Sequence, residues 1–213
     1  MKKVNLVLAA VLMYSGFASA TILIPSDDAY VRDDTLDTTY NEEQLITWTH
    51  YGAATGRSYI KFSMAGLPQL SQLQSATLNM YLWEVGGYLE TVSIYYAKDD
   101  SWIETSLNWN NAPGTGDLVA SENVGSYYTW GGPKWVSFDL LASGLWDYDS
   151  DRSDGYVTFV IKTAENGEDI HRFYSKEENV PGDFAPYLEV IAIPEPTTMA
   201  ILVLGGLMIR RRS

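Results

Sequence analysis

Five separate segments alternate apolar and polar side chains with a period of two, and this pattern limits the fold more than any other feature. In Ser75 to Glu84, Ala76, Leu78, Met80 and Leu82 share one face, while Thr77, Asn79, Tyr81 and Trp83 share the other. Thr91 to Lys98 repeats the pattern with Val92, Ile94 and Tyr96 inward. Trp135 to Leu140 (Val136, Phe138, Leu140), Tyr156 to Thr163 (Val157, Phe159, Ile161) and Tyr187 to Ala192 (Leu188, Val190, Ala192) do the same. Successive side chains of a strand point to opposite sides, so each segment predicts a half-buried antiparallel strand. Further strands are expected at Asp28 to Arg32, Gln44 to Thr49, Ser58 to Met64 and Arg172 to Ser175.

Gly, Pro, Asn and Asp separate these segments, and no interior stretch reads as a helix longer than about two turns. Leu140 to Trp146 is the best short helix, interrupted by Gly144. The expected class is all-β, an antiparallel two-sheet β-sandwich of jelly-roll type. With no cysteine, disulfides, thiol catalysis and cysteine metal sites are excluded, and the core must supply the stability.

The two ends read differently from the interior. Lys2 and Lys3 precede an apolar run, Val4 to Phe17, that closes on Ala18-Ser19-Ala20. That order predicts a secretion signal, residues 1–20, cut by signal peptidase between Ala20 and Thr21. At the other end, Pro194-Glu195-Pro196 precedes the apolar stretch Met199 to Ile209 and the cluster Arg210-Arg211-Arg212. As a helix that stretch spans about 16 Å, short of a hydrocarbon core of about 30 Å. Residues 194–213 are therefore expected to stop at the membrane transiently, held by arginines on the cytoplasmic side, leaving residues 21–193 as one domain.

This tail resembles the PEP-CTERM sorting signal. The resemblance implies processing by exosortase, a membrane-embedded cysteine peptidase, in a Gram-negative bacterium that makes exopolysaccharide. The expected destination is the cell envelope, surface or extracellular matrix.

Charge narrows the partners. The chain carries 14 Lys and Arg against 27 Asp and Glu. Five of those bases (Lys2, Lys3 and Arg210 to Arg212) and one acid (Glu195) sit in the ends, so nine bases face 26 acids in the domain, a net −17. Such a field repels nucleic acid and anionic lipid, whereas neutral glycans and divalent cations suit it.

A second likeness covers residues 21–192. Asp28-Ala29-Tyr30-Val31, Tyr40, Arg57-Ser58-Tyr59-Ile60-Lys61-Phe62 running to Gly66-Leu67-Pro68, and Ser75 to Leu82 open it. Asp100-Ser101-Trp102-Ile103-Glu104 leading to Asn108-Trp109-Asn110-Asn111-Ala112-Pro113 continues it. Gly155 to Ile161, Phe173-Tyr174-Ser175 and Pro186-Tyr187-Leu188-Glu189-Val190 close it. Together they resemble the DNRLRE domain family, which implies a non-catalytic β-sandwich related to carbohydrate-binding modules. Asn41 stands where that family usually has glycine, and asparagine tolerates the same left-handed turn.

Seven tryptophans and fifteen tyrosines supply candidate sugar platforms, since flat rings stack on sugar C–H faces. Trp102 and Trp109 are expected in the core. Tyr127, Tyr128 and Trp130, in a glycine-flanked turn with Lys134, are expected either to face a ligand or to pack over one end of the sandwich. Trp48, His50 and Tyr51 form a weaker candidate of the same kind. Arg57, Lys61, Lys134 and Arg172 are candidates to contact an acidic sugar.

Asp147, Asp149, Asp151 and Asp154 resemble the start of a calcium loop, although Arg152 and Thr158 replace the glycine and glutamate that an EF-hand requires. The alternative is a solvated acidic loop. Asp27, Asp28, Asp33, Asp34 and Asp37 form a second acidic cluster, and either cluster is a candidate for the structural calcium that carbohydrate-binding sandwiches often hold. His50 and His171 lack a nucleophile context, and no catalytic motif is present. Three functions remain: a non-catalytic module that holds extracellular polysaccharide, a structural or adhesive matrix protein without glycan binding, and a small polysaccharide hydrolase or lyase.

Overall fold

The computed structural model describes residues 18–50, 54–88, 91–163, 168–178 and 182–194. The expected secretion signal through residue 17, Tyr51, and Glu195, Pro196 and Arg210 to Arg212 of the expected tail lie outside the described residues. Ala20–Ala192 forms one compact unit.

Among the described residues eleven strands build it: β1 (Ser19–Leu23), β2 (Asp27–Arg32), β3 (Gln44–His50), β4 (Ala54–Ser63), β5 (Leu73–Gly87), β6 (Thr91–Ala97), β7 (Asp117–Asn123), β8 (Lys134–Asp139), β9 (Tyr156–Thr163), β10 (Glu168–Tyr174) and β11 (Tyr187–Ala192). One helix, α1 (Tyr148–Asp154), lies between β8 and β9. The strands join into a curled antiparallel sheet in the order β1-β11-β5-β10-β3-β4-β9-β6-β7, with β2 added beside β4 and β8 beside β5. The length of β5 produces the curl. Its first half pairs β11 and β8, and its second half, from Leu82 to Gly87, passes to β10.

The expected alternation holds. Ala76, Leu78, Met80, Leu82, Val92, Ile94, Phe138, Phe159, Ile161 and Leu188 are all fully buried in one core, with Ile60, Phe62 and Phe173 added from β4 and β10. Burying a side chain of this size contributes about 1.5–3 kcal/mol.

A second, smaller core covers the opposite face of β2, β4 and β9. Ala29, Val31, Tyr59 and Val160 pack there under Trp102 and Leu107 of residues 98–116, a cover segment without regular strands until its end. Trp102 is buried as expected and Trp109 packs half-buried against the same cluster. The Trp102 Nε1 donates to Thr158 Oγ1 at 2.9 Å, and the Tyr59 hydroxyl donates to the Pro113 carbonyl at 2.7 Å, which fastens both ends of the cover.

The helix is not where the sequence placed it. Leu140 to Trp146 is turn and bend, because Gly144 adopts φ +69°, and the helix forms over Tyr148–Asp154. Asp149 and Asp151 in the first turn and Arg152 in the last suit the helix dipole, and Gly155 closes it at φ +105°. The acidic segment is therefore a helix and not a loop.

Candidate functional site

The ends of β3, β5 and β10 meet in register. Trp48 lies opposite Ile170, and Ile170 opposite Gly86; Thr49 lies opposite Asp169, and Asp169 opposite Gly87. Partners across a ladder share a face, so Trp48 and Ile170 stand together on the side away from the core, where Leu45, Thr47 and Thr49 point inward. Gly86 leaves room for Ile170, since a Cβ there would sit 2.7 Å from Ile170 Cγ2.

Past these strand ends the chain adds exposed rings. Tyr88 follows β5 directly, and the Tyr127 amide donates to the Gly87 carbonyl at 2.9 Å, pinning the turn that carries Tyr127 and Tyr128. Tyr88, Tyr127 and Tyr128 are 65%, 62% and 73% exposed, large fractions for side chains held against one another. The ring of Tyr128 lies 6.1 Å from Tyr88 and 5.2 Å from Tyr127. Together with Trp48 and His50, whose rings stack at 6.2 Å, they border a cleft of about 380 Å³. A second depression of about 240 Å³ shares Trp48 and Ile170 with it and runs on to Tyr30, Arg32 and Arg172. The Arg32 guanidinium sits 4.8 Å from the Trp48 ring while bound through two hydrogen bonds to Asp34. Arg172 pairs with Glu84 at 3.3 Å. The result is a groove with rings at one end and paired arginines at the other, a surface able to stack planar faces and to donate hydrogen bonds.

The two aromatic candidates of the sequence thus meet at one place: Trp48 and His50 from one, Tyr127 and Tyr128 from the other. Tyr88, Asp169, Ile170, Tyr30 and Arg32 were not foreseen there; the one available signal was an aromatic directly after Gly86-Gly87.

Other expected ligand residues belong elsewhere. Trp130 packs half-buried against the main core, because Gly125 at φ +84° folds its turn inward. The Lys134 ammonium is used by the Val124 and Trp130 carbonyls, at 2.8 and 3.1 Å, and holds the turn. Lys61 is buried; its ammonium reaches the Trp102 carbonyl and lies 3.1 Å from Asp27, between the Trp102 and Tyr156 rings. Arg57 stacks on Trp109 at 4.5 Å and borders a separate depression with Lys162.

The four expected calcium ligands do not all meet at one point; Asp151 and Asp154 come together with Asp100, while Asp147 and Asp149 do not join them. Helix geometry turns Asp149 toward the Leu70 amide, at 3.0 Å, and Arg152. Asp147 caps the helix through its carbonyl, and Asp154 accepts from the Tyr156 amide at 3.3 Å. Asp151 is buried, accepting from the Tyr96 hydroxyl at 2.7 Å and from Trp146 Nε1 at 2.6 Å. Among the described residues two trios bring carboxylate oxygens within 4.8 Å of one another: Asp100, Asp151 and Asp154, and Asp28, Glu104 and Glu177.

Known proteins resemble parts of this chain. A gellan lyase of a Bacillus species is 32% identical over 105 residues, which is 47% of this chain and 4% of the length of that lyase. The crystal structure of a proposed glycoside hydrolase from Bacteroides thetaiotaomicron is 11% identical, covering 75% of this chain and 55% of that one at a TM-score of 0.26, a likeness too low to carry argument. The model of carbohydrate-binding module family 96 matches residues 19–192, the whole of the curled sheet, and the chain belongs to that family.

Proposed function

We propose that this chain binds polysaccharide without cleaving it, in the groove that runs from Tyr88, Tyr127 and Tyr128 across Trp48 to Arg172. One observation carries the reading: in a domain of a carbohydrate-binding family, exposed rings from two distant turns are gathered beside Trp48 in a single cleft. Three rings left in water cost free energy that a sugar face recovers by stacking. The relative named as a gellan lyase fits a module that also travels with polysaccharide-acting enzymes. We read the curled sheet as a two-sheet sandwich of jelly-roll type, with the main core as its filling.

The chain ends add a destination. The secretion signal and the PEP-CTERM-like tail support export, cutting by signal peptidase, sorting by exosortase and residence at the cell surface or in an extracellular polysaccharide matrix, with membrane contact only transient or through the tail.

Affinity electrophoresis in gels cast with neutral and with acidic polysaccharides tests the function. Retardation in at least one gel, lost in Trp48→Ala and Tyr128→Ala, is expected. Equal mobility in every gel favours an inert matrix protein, and a fall in polymer size favours a hydrolase or lyase.

A further inference from the structure

At the end of β10 remote from the cleft, about 20 Å along the strand by its rise per residue, three acidic side chains meet from three distant segments. Asp28 comes from β2, Glu104 from the cover segment and Glu177 from the turn after β10. Asp28 is 0% exposed. Its Oδ2 accepts from the Lys176 amide at 2.8 Å, but no N–H or hydroxyl donor reaches its Oδ1 or Glu177 Oε2; these two carboxyls face one another, and without an ion only a proton on one of them can bond the pair. Burial and then the facing Glu177 charge push the Asp28 carboxyl well above the usual carboxylate range. An unpartnered buried carboxylate oxygen costs several kcal/mol, so either a cation or a proton held between Asp28 and Glu177 must offset it.

The surrounding backbone is arranged as for a fixed site. The Ser175 amide donates to the Glu43 carbonyl at 3.1 Å and its hydroxyl to the Glu42 carbonyl at 2.7 Å. The Glu104 amide donates to Asp27 Oδ1 at 3.2 Å. The Glu177 amide donates to Ser175 Oγ at 3.2 Å and Asp28 lies opposite Ile60 in the β2–β4 ladder, so the main chain holds each acidic residue in place. One cation is already present: the Lys176 ammonium contacts Glu104 Oε2 and Glu177 Oε1 at the rim. With all three carboxyls ionised, as a bound cation would require, the single ammonium leaves the trio two charges short of neutrality, and it serves neither Asp28 Oδ1 nor Glu177 Oε2.

We propose that Asp28, Glu104 and Glu177 bind a hard divalent cation of the calcium class, which fastens the cover segment and the turn after β10 to the start of β2. A ligand set of carboxylate oxygens suits a hard cation, and calcium accepts irregular geometry where magnesium demands a strict octahedron. This site shares only Asp28 with the acidic clusters singled out in the sequence. None of its three acids lines the groove, and the proposal stands whether or not the groove binds sugar.

The test uses the full chain stripped with chelator. Calcium at about a hundredfold its dissociation constant is expected to raise Tm by about 5–10 °C. Equilibrium dialysis with metal analysis is expected to lose one bound equivalent in Glu104→Gln and in Glu177→Gln, both first shown to fold by a cooperative thermal melt, and to lose none in Asp154→Asn. An unchanged Tm with no ion bound to the wild-type chain overturns the proposal in favour of a proton shared by Asp28 and Glu177. So does calcium binding that survives in both rim variants, or that vanishes only in Asp154→Asn, which moves the ion to Asp100 and Asp151.

Discussion

Ile170 crosses the bare backbone of Gly86, with its Cγ2 only 2.7 Å from where a Cβ on residue 86 would lie. That crossing forms the floor of the cleft beside Trp48. A methyl at position 86 must push a β-branched side chain that has few rotamers to move into.

Gly86→Ala is therefore expected to cost about 1 kcal/mol, the overpacking penalty less the gain from a stiffer unfolded chain, and to weaken polysaccharide retardation. Ile170→Ala in the same chain removes the clash, so the double variant is expected to be more stable than the sum of the singles. Urea melts of the four proteins measure this, and strictly additive losses would show that the crossing is not tight.

Tyr128 and Trp130 lie two residues apart yet answer to different forces. Tyr128 is exposed in the cleft, whereas Trp130 leans on the main core. Tyr128→Ala is expected to leave stability within about 0.5 kcal/mol and to weaken binding at least tenfold. Trp130→Phe, which keeps a packed ring, is expected to bind as the wild-type chain does, while Trp130→Ala lowers stability by about 2–4 kcal/mol. Thermal melts beside affinity gels separate the two effects, and a binding loss in Trp130→Phe with an unchanged Tm would return that ring to the ligand.

How much of this was legible in the chain depended on which residues had one neighbour and which had several. Period-two strands such as β5 and β8 announced their core faces, because one sheet face meets one core. β7 stayed hidden because only Val119 of its seven residues is buried and well inward-facing, so no alternation shows. Val160 and Thr158 looked solvent-facing, and are buried because the cover segment closes over β9. Lys61 was misread for the same reason: a lysine in an alternating strand reads as surface until a distant Trp102 roofs it. The aromatic rings were found, but their meeting needed the register of β3, β5 and β10, which pairs residues more than eighty positions apart. Glu104 and Glu177 gave no signal, since single acids in turns are common and only the fold brings them to Asp28.

Lys61 should prove a structural residue. Burial pushes the Asp27 carboxyl up, but Lys61 and the Glu104 amide together hold it below the usual carboxylate range. Replacing Lys61 by Met leaves Asp27 and the Trp102 carbonyl without their cation, at an expected cost of about 3–5 kcal/mol. The stability that depends on ionised Asp27 is present above the ordinary carboxylate range and is lost as pH falls from that range through the lowered value in the folded chain. Lys61→Met is therefore expected to melt well below the wild-type chain at neutral pH, with a smaller gap in acid, while its folded fraction still retards in the gel. An unchanged melt at neutral pH, or loss of binding without loss of stability, would return Lys61 to the ligand.

Asp151 gives the opposite dependence on pH. Burial pushes its carboxyl up to about 7, the nearby Asp100 and Asp154 charges add to that, and the hydrogen bonds from Tyr96 and Trp146 offset only part. Unfolded, the same group titrates near 4. Between about pH 4 and pH 7 the native chain thus holds a proton that the unfolded chain has released, so stability falls as pH rises through that window, by on the order of 2–4 kcal/mol. Asp28, Asp100 and Glu104 are raised as well and slope the same way, so the wild-type curve alone does not isolate one group. Asp151→Asn does. Its amide accepts from only one of the two donors, Tyr96 or Trp146, at a cost of about 1–3 kcal/mol near pH 4. It no longer titrates, so the difference in Tm between variant and wild type is expected to shrink steadily from pH 4 to pH 7. A constant difference across that range would mean that Asp151 is ionised throughout, held by Tyr96 and Trp146 as a buried anion.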